Sequence, residues 1–362
     1  MVLYKTQFLR CEMKTLTIIR PDDFYVHSRQ GDLLRTVLPF TANIFGRAVI
    51  MGNLAVPVVT AEQVENYRSE ILSSGVRPSF NPIMSVMLVM LVNGMTPEML
   101  AGAQGAGARV LKFIPGGTST NSNEGVPLTE LKNYYPVLAK AHELGMIFSG
   151  HFELIADPET GKNIPELERE ERAIPFLEAM VREFPDLKIV VEHVTTGRMV
   201  RLVKDSPVNV AATITAHHLL LEARDVIDGE GRVTHPLNYC KPIAKTKEDR
   251  EAVIKAAISG NPKFFFGSDS APHPILAKRK IPPAAEIFSA PVALSLLAKV
   301  FEARGALGGL EDFSSRFGAQ FYGLPLNPGT ITLEKRDWLV PESVGGIPIF
   351  LRGEILEWRV VD

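Results

Sequence analysis

The sequence predicts a (β/α)8 barrel, an α/β fold of the TIM type, with a small C-terminal extension. Eight short and nearly continuous apolar runs occur along the chain, which is typical of parallel strands covered on both faces. Amphipathic segments with helical periodicity lie between these runs. The length of 362 residues also suits a barrel that folds as one unit.

The elements of the predicted barrel alternate along the chain. The predicted strands are residues 15–19, 47–51, 85–91, 110–114, 146–149, 188–192, 209–215 and 263–267. The predicted helices are residues 62–73, 128–144, 174–184, 247–258 and 291–303. Thr246 precedes acidic residues, as the N-cap of a helix does. A doubly wound open sheet is the alternative, but no G-x-G-x-x-G pattern follows the first strand.

One domain is expected over residues 1–362, because no repeat, low-complexity tract or linker divides the chain. Residues 1–13 are interpreted as an N-terminal extension. Residues 326–362 contain Pro and Gly between short strand-like pieces, and we expect this segment to cap the barrel.

Composition excludes several classes of function. A net charge of −2 and a pI near 6.5 give no electrostatic basis for binding nucleic acid or an anionic membrane. No run approaches the roughly 18 apolar residues of a membrane span. The two cysteines, Cys11 and Cys240, indicate a reducing compartment, and residues 1–11 lack the layout of a signal peptide. A cytoplasmic protein that acts on a small molecule is therefore expected.

A lone lysine, Lys112, lies within the apolar strand predicted at 110–114. Burying an ammonium group costs several kcal/mol unless it is paired, neutralised or chemically changed. A lysine modified to a carbamate is no longer a cation and can bridge metal ions through its oxygens. The alternative is a lysine that extends its amine to solvent at the edge of the strand.

Polar side chains follow several of the predicted strands. They are His27, Arg29, Asn53, His151, His193, Asp269 and His273. In a barrel the carboxyl ends of the strands share one rim, where active sites form. Taken singly, a histidine is more often structural, and His142, His217, His218 and His235 are interpreted in that way. Asp269 alone could cap the following turn, but the joint occurrence indicates a metal site.

Seven motifs in consistent order make the chain resemble the dihydroorotases of the shorter bacterial and fungal type, in the amidohydrolase superfamily. The motifs are residues 20–29, 51–57, 112–122, 192–196, 239–242, 267–273 and 320–325. The resemblance runs from about Lys14 to the C-terminus.

The resemblance implies a metal centre with two zinc ions. Carbamylated Lys112 would bridge them, and His151 and His193 would complete the ligands of the second ion. His27 and Asp269 would bind the first ion, with Asp269 also acting as general acid/base toward a metal-activated hydroxide.

The resemblance also implies a substrate site and a homodimer. Arg29, Asn53 and His273 would hold the substrate carboxylate, and Lys241 and Ala285 would contact the pyrimidine ring, largely through backbone atoms. Ser119 and Thr120 would be the hydroxyl pair of a loop that closes over the substrate.

Four positions depart from the family pattern: Tyr25, Lys241, and also Ile114 and Ser28, which affect the shape of the pocket more than its chemistry. Tyr25 stands where the first histidine of His-x-His is expected, and a phenol ligates as an anion only after losing a proton with a pKa of about 10. Lys241 replaces an expected leucine. One metal ion or none is therefore an alternative to two.

The function that the resemblance implies is the reversible interconversion of N-carbamoyl-L-aspartate and (S)-dihydroorotate in pyrimidine (UMP) synthesis. One alternative is a catalytically impaired relative with a binding role, because of Tyr25. Another is a hydrolase of a different cyclic amide or imide.

Overall fold

Eight parallel strands form a barrel in the computed structural model, which describes residues 15–88 and 94–361. Strand β1 (Thr15–Ile19) precedes the barrel. The barrel strands are β2 (Asp22–Val26), β3 (Arg47–Ile50), β4 (Asn81–Leu88), β5 (Ala108–Phe113), β6 (Ile147–Gly150), β7 (Ile189–Val191), β8 (Val210–Ile214) and β9 (Phe264–Phe266). Each pairs in parallel with the next, and a Val26–Ser270 bridge joins the last to the first. The predicted barrel is confirmed, and the doubly wound sheet is excluded.

Helices follow most of the barrel strands. They are α1 (Gly31–Ala42), α2 (Ala61–Ser73), α3 (Pro97–Gly105), α4 (Tyr135–Glu143), α5 (Arg169–Arg172), α6 (Ile174–Glu183), α7 (Gly197–Asp205), α8 (Lys247–Ala257), α9 (Ile275–Lys278), α10 (Ala293–Ala303) and α11 (Phe317–Tyr322). The Thr246 cap is confirmed, since its hydroxyl accepts from the Asp249 amide at 3.1 Å. The predicted helix 128–144 is wrong in its first half: Leu128–Tyr134 is a 3-10 helix. Pro136 explains the break, because a proline within an α-helix lacks the N–H for the backbone bond.

The predicted first strand, residues 15–19, is wrong as a barrel strand. It alternates exposed and buried positions and pairs antiparallel with β10 (Thr330–Leu339). The true first barrel strand is β2, whose two aspartates resemble a turn in the sequence. Both carboxylates are buried, and each has partners that stabilise it: Arg47 for Asp22 and Ser268 for Asp23.

The C-terminal segment is a set of strands. Strand β10 pairs with β1 on one side and β13 (Ile355–Val360) on the other, and β11 (Ser343–Val344) pairs with β12 (Ile347–Pro348). That this segment caps the barrel and that the chain is one domain stay predictions. The extension at 1–13, and residues 89–91 of the predicted strand 85–91, lie outside the described residues. None of the described helices is long and apolar enough to cross a membrane.

Aromatic rings fill the mouth of the barrel at the amino ends of the strands. Phe24 of β2 lies 4.6 Å from Tyr322 of α11 and 5.2 Å from Phe265 of β9, measured between ring centroids. Gly318 lets α11 approach closely, since a Cβ there would lie 2.1 Å from the Phe24 ring. With this end closed, the opposite rim is left for a site.

Candidate active site

Lys112 lies inside the barrel, one layer above the apolar interior. It follows the interior residue Val110 by two positions on β5, so both point to the same face. In the same layer, the buried Glu192 carboxylate accepts from the hydroxyls of Ser149 at 2.6 Å and Thr213 at 2.5 Å. The side chain of Lys112 is fully buried, so the interpretation as a solvent-reaching lysine is wrong.

The Lys112 amine loses its proton more readily than an exposed lysine does. Burial lowers its pKa to about 8, against the opposing attraction of Glu192 and Asp269. Its Nζ has no hydrogen-bond partner among the residues that the structure describes. A neutral, unpartnered amine is the form that reacts with carbon dioxide, because a protonated amine has no lone pair to donate.

His27 and Asp269 form one pair beside Lys112. His27 Nε2 lies 3.1 Å from Asp269 Oδ1, and both residues are buried. Burial lowers the pKa of His27 to about 3, so its ring is neutral at neutral pH. Burial, and then the negative charge of Glu286, raise the pKa of Asp269 well above its usual range. The Asp269 carboxylate is thus directed at the His27 ring.

His151 and His193 form the second pair. Their ring centroids are 4.7 Å apart, and both rings are buried. His151 Nε2 hydrogen-bonds Glu153 Oε2 at 2.7 Å, which orients the ring. Glu153 escaped the sequence analysis, although its position two residues after a candidate ligand is a signal for such an orienting carboxylate.

Tyr25 lies between the two pairs. Its ring centroid is 5.3 Å from those of both His27 and His193, and Lys112 Nζ lies over its face at 4.5 Å from the centroid. Burial, followed by the charge of Asp269, raises the pKa of Tyr25 well above 10. The phenol is therefore neutral in these surroundings.

Strained backbone is concentrated at this rim. Six non-glycine residues have positive φ in the part of the chain that the structure describes, and five of them belong to the rim: Arg29, Asn121, His193, Asp269 and Glu286. Such conformations cost of order 1–3 kcal/mol each and persist where the surroundings over-determine them. Their concentration here marks a functional site.

Arg29 and His273 are in contact. Arg29 Nη2 lies 3.0 Å from His273 Nε2. Because a guanidinium only donates, His273 accepts through Nε2 and is neutral, in keeping with a pKa lowered by burial. The Tyr67 hydroxyl donates to the Arg29 carbonyl at 2.9 Å and so helps to fix the strained backbone of Arg29.

The predicted loop lies over this part of the site. Arg29, Asn53 and His273, the residues predicted to hold the substrate carboxylate, are called the clamp. Asn53 Nδ2 donates to the Thr120 carbonyl at 3.1 Å, so this member of the clamp contacts the loop. Ser119 Oγ donates to Glu286 Oε1 at 2.7 Å. Glu286 was missed by the sequence analysis, and nothing in its local pattern distinguishes it from a surface glutamate.

Lys241 and Ala285 differ in how they relate to the site. Ala285 is buried next to Glu286, while the Lys241 amine pairs with the Glu166 carboxylate and lies over the Tyr239 ring at 5.5 Å. Although burial opposes its charge, the carboxylates of Glu153 and Glu166 raise the pKa of Lys241 overall. The Glu166 carboxylate thus neutralises the charge that Lys241 adds near the site.

One further cluster has metal-ligand chemistry. Within the described ranges, only His217, His218 and Cys240 bring three such ligand atoms within 4.8 Å of one another. His218 is already engaged at both ring nitrogens, by Thr215 Oγ1 at 2.9 Å and the Pro242 carbonyl at 3.0 Å. Burial also raises the pKa of the Cys240 thiol to about 12, which disfavours the thiolate. The structural interpretation of His218 agrees with these contacts.

Known proteins resemble this chain over almost its whole length. No family model matches it. The dihydroorotase of Teredinibacter turnerae is 41% identical, with 96% of this chain and 98% of that protein covered. The dihydroorotase of Vibrio vulnificus strain YJ016 is 43% identical, covering 96% and 100%. The chain belongs to the dihydroorotase family. Membership makes it an enzyme of the amidohydrolase type, a hydrolase of cyclic amides.

The fold comparison agrees with this assignment. The crystal structure of Saccharomyces cerevisiae dihydroorotase in complex with 5-fluoroorotic acid superimposes with a TM-score of 0.88 at 32% identity. The match covers 96% of this chain and 98% of the yeast chain. The resemblance read from the seven sequence motifs is confirmed.

Proposed function

We propose that this member of the dihydroorotase family interconverts N-carbamoyl-L-aspartate and dihydroorotate. One observation carries the proposal: the buried, unpartnered Lys112 amine lies in one layer with the His27–Asp269 and His151–His193 pairs. Two ligand pairs on either side of a modifiable lysine are what a bridged pair of metal ions requires.

Unpartnered atoms support the metal centre. His27 Nδ1, Lys112 Nζ, His193 Nδ1 and Asp269 Oδ2 are buried without a hydrogen bond to any described residue. Buried polar atoms are nearly always satisfied, so four together point to an absent group. His27, Lys112 and Asp269 would hold one ion, and Lys112, His151 and His193 the other. Imidazole and carboxylate ligands suit zinc, which we propose as the metal.

Divalent ions in this site would supply a nucleophilic hydroxide and polarise the amide carbonyl. Asp269 acts first as general base and then as general acid. Its Oδ2 takes the proton of the attacking water and delivers it to the leaving ring nitrogen. Burial and the charge of Glu286 raise the pKa of Asp269, so its carboxyl holds a proton more readily than an exposed aspartate does.

The remaining residues orient the substrate. The Arg29 fork provides donors for a carboxylate, and no described residue satisfies its Nη1. The Asn53 Nδ2 amide, which donates to the Thr120 carbonyl, is a second donor. The loop carrying Ser119 and Thr120 excludes water above the ring. We further propose that the protein is a homodimer in the cytoplasm and that it acts on a small molecule.

Purified protein loaded with zinc tests the reaction directly. We expect conversion of dihydroorotate and carbamoyl aspartate in both directions, zinc bound to the chain, and an intact mass that includes one carbon dioxide at Lys112. Lys112→Arg, which keeps the charge but cannot form the carbamate bridge, is the control and should lose turnover. Absence of turnover at every metal loading would end the proposal.

The position of Tyr25 favours a second candidate, a catalytically impaired relative that binds a ligand. Its neutral phenol occupies the space between His27 and His193, where the family pattern has an imidazole ligand. The first ion would then have His27, Lys112 and Asp269 alone. A hydrolase of another cyclic amide is the remaining alternative, and a profile of substrates with and without a carboxylate separates it.

Tyr25→His distinguishes the first two candidates. A large rise in bound zinc and in turnover identifies an impaired site, whereas unchanged values mean that the native site accommodates the tyrosine. Tyr25→Phe, which keeps the ring and removes only the hydroxyl, shows whether the phenol itself contributes.

A further inference from the structure

Glu286 is fixed in a backbone conformation that favours glycine. Its φ is 74°, in the left-handed region. The buried Lys278 amine donates to the carbonyls of Glu286 at 2.7 Å, Ala284 at 2.9 Å and Tyr239 at 2.9 Å. A lysine with all three donors engaged by backbone carbonyls holds this segment in place. The strained glutamate is therefore positioned by its surroundings.

The side chain of Glu286 lies in the predicted anion clamp. Its Oε1 accepts from Ser119 Oγ at 2.7 Å, and its Oε2 lies 3.6 Å from His273 Nε2. Glu286 also exerts the largest attraction of any group on the Arg29 guanidinium, which partly offsets the burial of that charge. Although burial opposes its ionisation, neighbouring groups that include the Arg29 guanidinium hold the pKa of Glu286 below its usual range.

One side of the Glu286 carboxylate faces a small cavity. The cavity lined by His273, Glu286, Lys278 and Phe350 has a volume of about 20 Å³, which holds roughly one water molecule. On its other side, the carboxylate is held by Ser119. A ligand that takes the Ser119 hydrogen bond must therefore take the place that Glu286 Oε1 now occupies.

We propose that Glu286 is an internal competitor for the substrate carboxylate and sets the ligand preference of the site. An incoming carboxylate gains the hydrogen bond of Ser119 only by displacing Glu286 from it, and it meets the charge of Glu286 beside Arg29. Two anions in one clamp also repel each other. The site should therefore gain little from a ligand's carboxylate, and uncharged cyclic amides should bind almost as well. The proposal rests on the proposed function, because it takes the clamp to be the place of the substrate carboxylate.

Binding of two matched ligands to the zinc-loaded protein tests this without requiring turnover. The ligands are 5-fluoroorotic acid and 5-fluorouracil, which share the fluorinated pyrimidine ring and differ in the carboxylate. Calorimetry should give similar Kd values for the native protein. In Glu286→Gly we expect 5-fluoroorotic acid to bind about tenfold tighter or more, with 5-fluorouracil changed by less than about twofold.

Control variants separate charge from space and from folding. Glu286→Gln keeps the size and should give part of the gain for 5-fluoroorotic acid. Glu222→Gln removes a buried carboxylate paired with Arg250 at 3.0 Å, away from the clamp, and should change neither Kd. Thermal unfolding confirms that each variant folds, and glycine suits the φ of 74°.

Two outcomes overturn the proposal. One is an unchanged Kd for 5-fluoroorotic acid in both Glu286 variants, and the other is an equal gain for both ligands, which would mean that only space was created. Failure of the dihydroorotase reaction is a separate result: turnover would be absent while the carboxylate preference still changed in Glu286→Gly.

Discussion

Buried polar groups have hydrogen-bond partners at one mouth of the barrel and keep unpartnered atoms at the other. At the amino ends of the strands, Arg47 donates to both oxygens of Asp22, at 2.9 and 2.6 Å. At the carboxyl ends, His27, Lys112 and Asp269 each keep an atom that no residue in the described ranges satisfies. Strand β2 and the residues directly after it take part in both.

This difference separates groups that stabilise the fold from groups kept for chemistry. A buried polar group with complete partners lowers the energy of the folded chain, while one without them costs about 1–3 kcal/mol. The carboxyl-end rim therefore reduces stability in exchange for reactivity. Substitutions at the two mouths should then have opposite effects on activity and stability.

The largest expected effect is at the carboxyl-end rim, in Asp269→Asn. We expect turnover to fall by about 10³-fold, because the amide cannot accept and return the proton. The free energy of unfolding should stay level or rise, since burial and Glu286 already disfavour the Asp269 anion. Steady-state kinetics and urea unfolding of the same preparation measure both. A loss of stability as large as the loss of activity would remove the distinction between the mouths.

At the amino-end mouth, Arg47→Met should destabilise without affecting chemistry. It leaves the buried Asp22 carboxylate without its ion pair, which costs about 3 kcal/mol or more. The value of kcat/KM per folded molecule should stay within about twofold of the native value. The double variant Asp22→Asn with Arg47→Met is the control and should recover part of the stability. Reduced turnover in fully folded Arg47→Met would contradict the assignment.

Asp23, the residue after Asp22 in β2, predicts a pH dependence of stability, and its partner Ser268 directly precedes Asp269. Burial raises its pKa from 3.8 to about 7, so the folded chain binds the proton more tightly than the unfolded chain does. Its contribution to stability is complete below pH 3.8 and is lost as the pH rises toward about 7. In Asp23→Asn we expect the unfolding free energy to lose a downward slope of up to about 1.4 kcal/mol per pH unit in that window. Identical pH profiles for the two proteins would contradict the raised pKa.

Much of the fold and most of the candidate ligands could be predicted from the sequence. Apolar runs give the strands because both faces of a parallel sheet are buried, and the position of His27, His151, His193 and Asp269 after strands follows from the shared rim. Strand β2 was missed for a physical reason. Its aspartates become strand residues only when Arg47 and Ser268, distant in sequence, supply their partners.

Glu286 shows the opposite limit of sequence analysis. Its position in the clamp depends on a positive φ, on the hold of Lys278 over the surrounding carbonyls, and on the contact with Ser119, which is 167 residues away. None of these leaves a local pattern. Tyr25 differs again: the sequence locates it, but only the structure places its neutral ring between two histidines.

The smallest expected effect concerns the one hydroxyl that departs from the rule at the amino-end mouth. Tyr322 packs against Phe24, and its buried hydroxyl has no partner among residues 15–88 and 94–361. Tyr322→Phe should therefore raise the free energy of unfolding by about 0.5–1 kcal/mol, because a desolvated, unsatisfied group is removed. Tyr67→Phe is the matched control: its hydroxyl donates to the Arg29 carbonyl at 2.9 Å, so the same change should cost about 1 kcal/mol. Equal losses in both variants, measured by urea unfolding, would mean that the Tyr322 hydroxyl is satisfied and that the amino-end mouth has no exception.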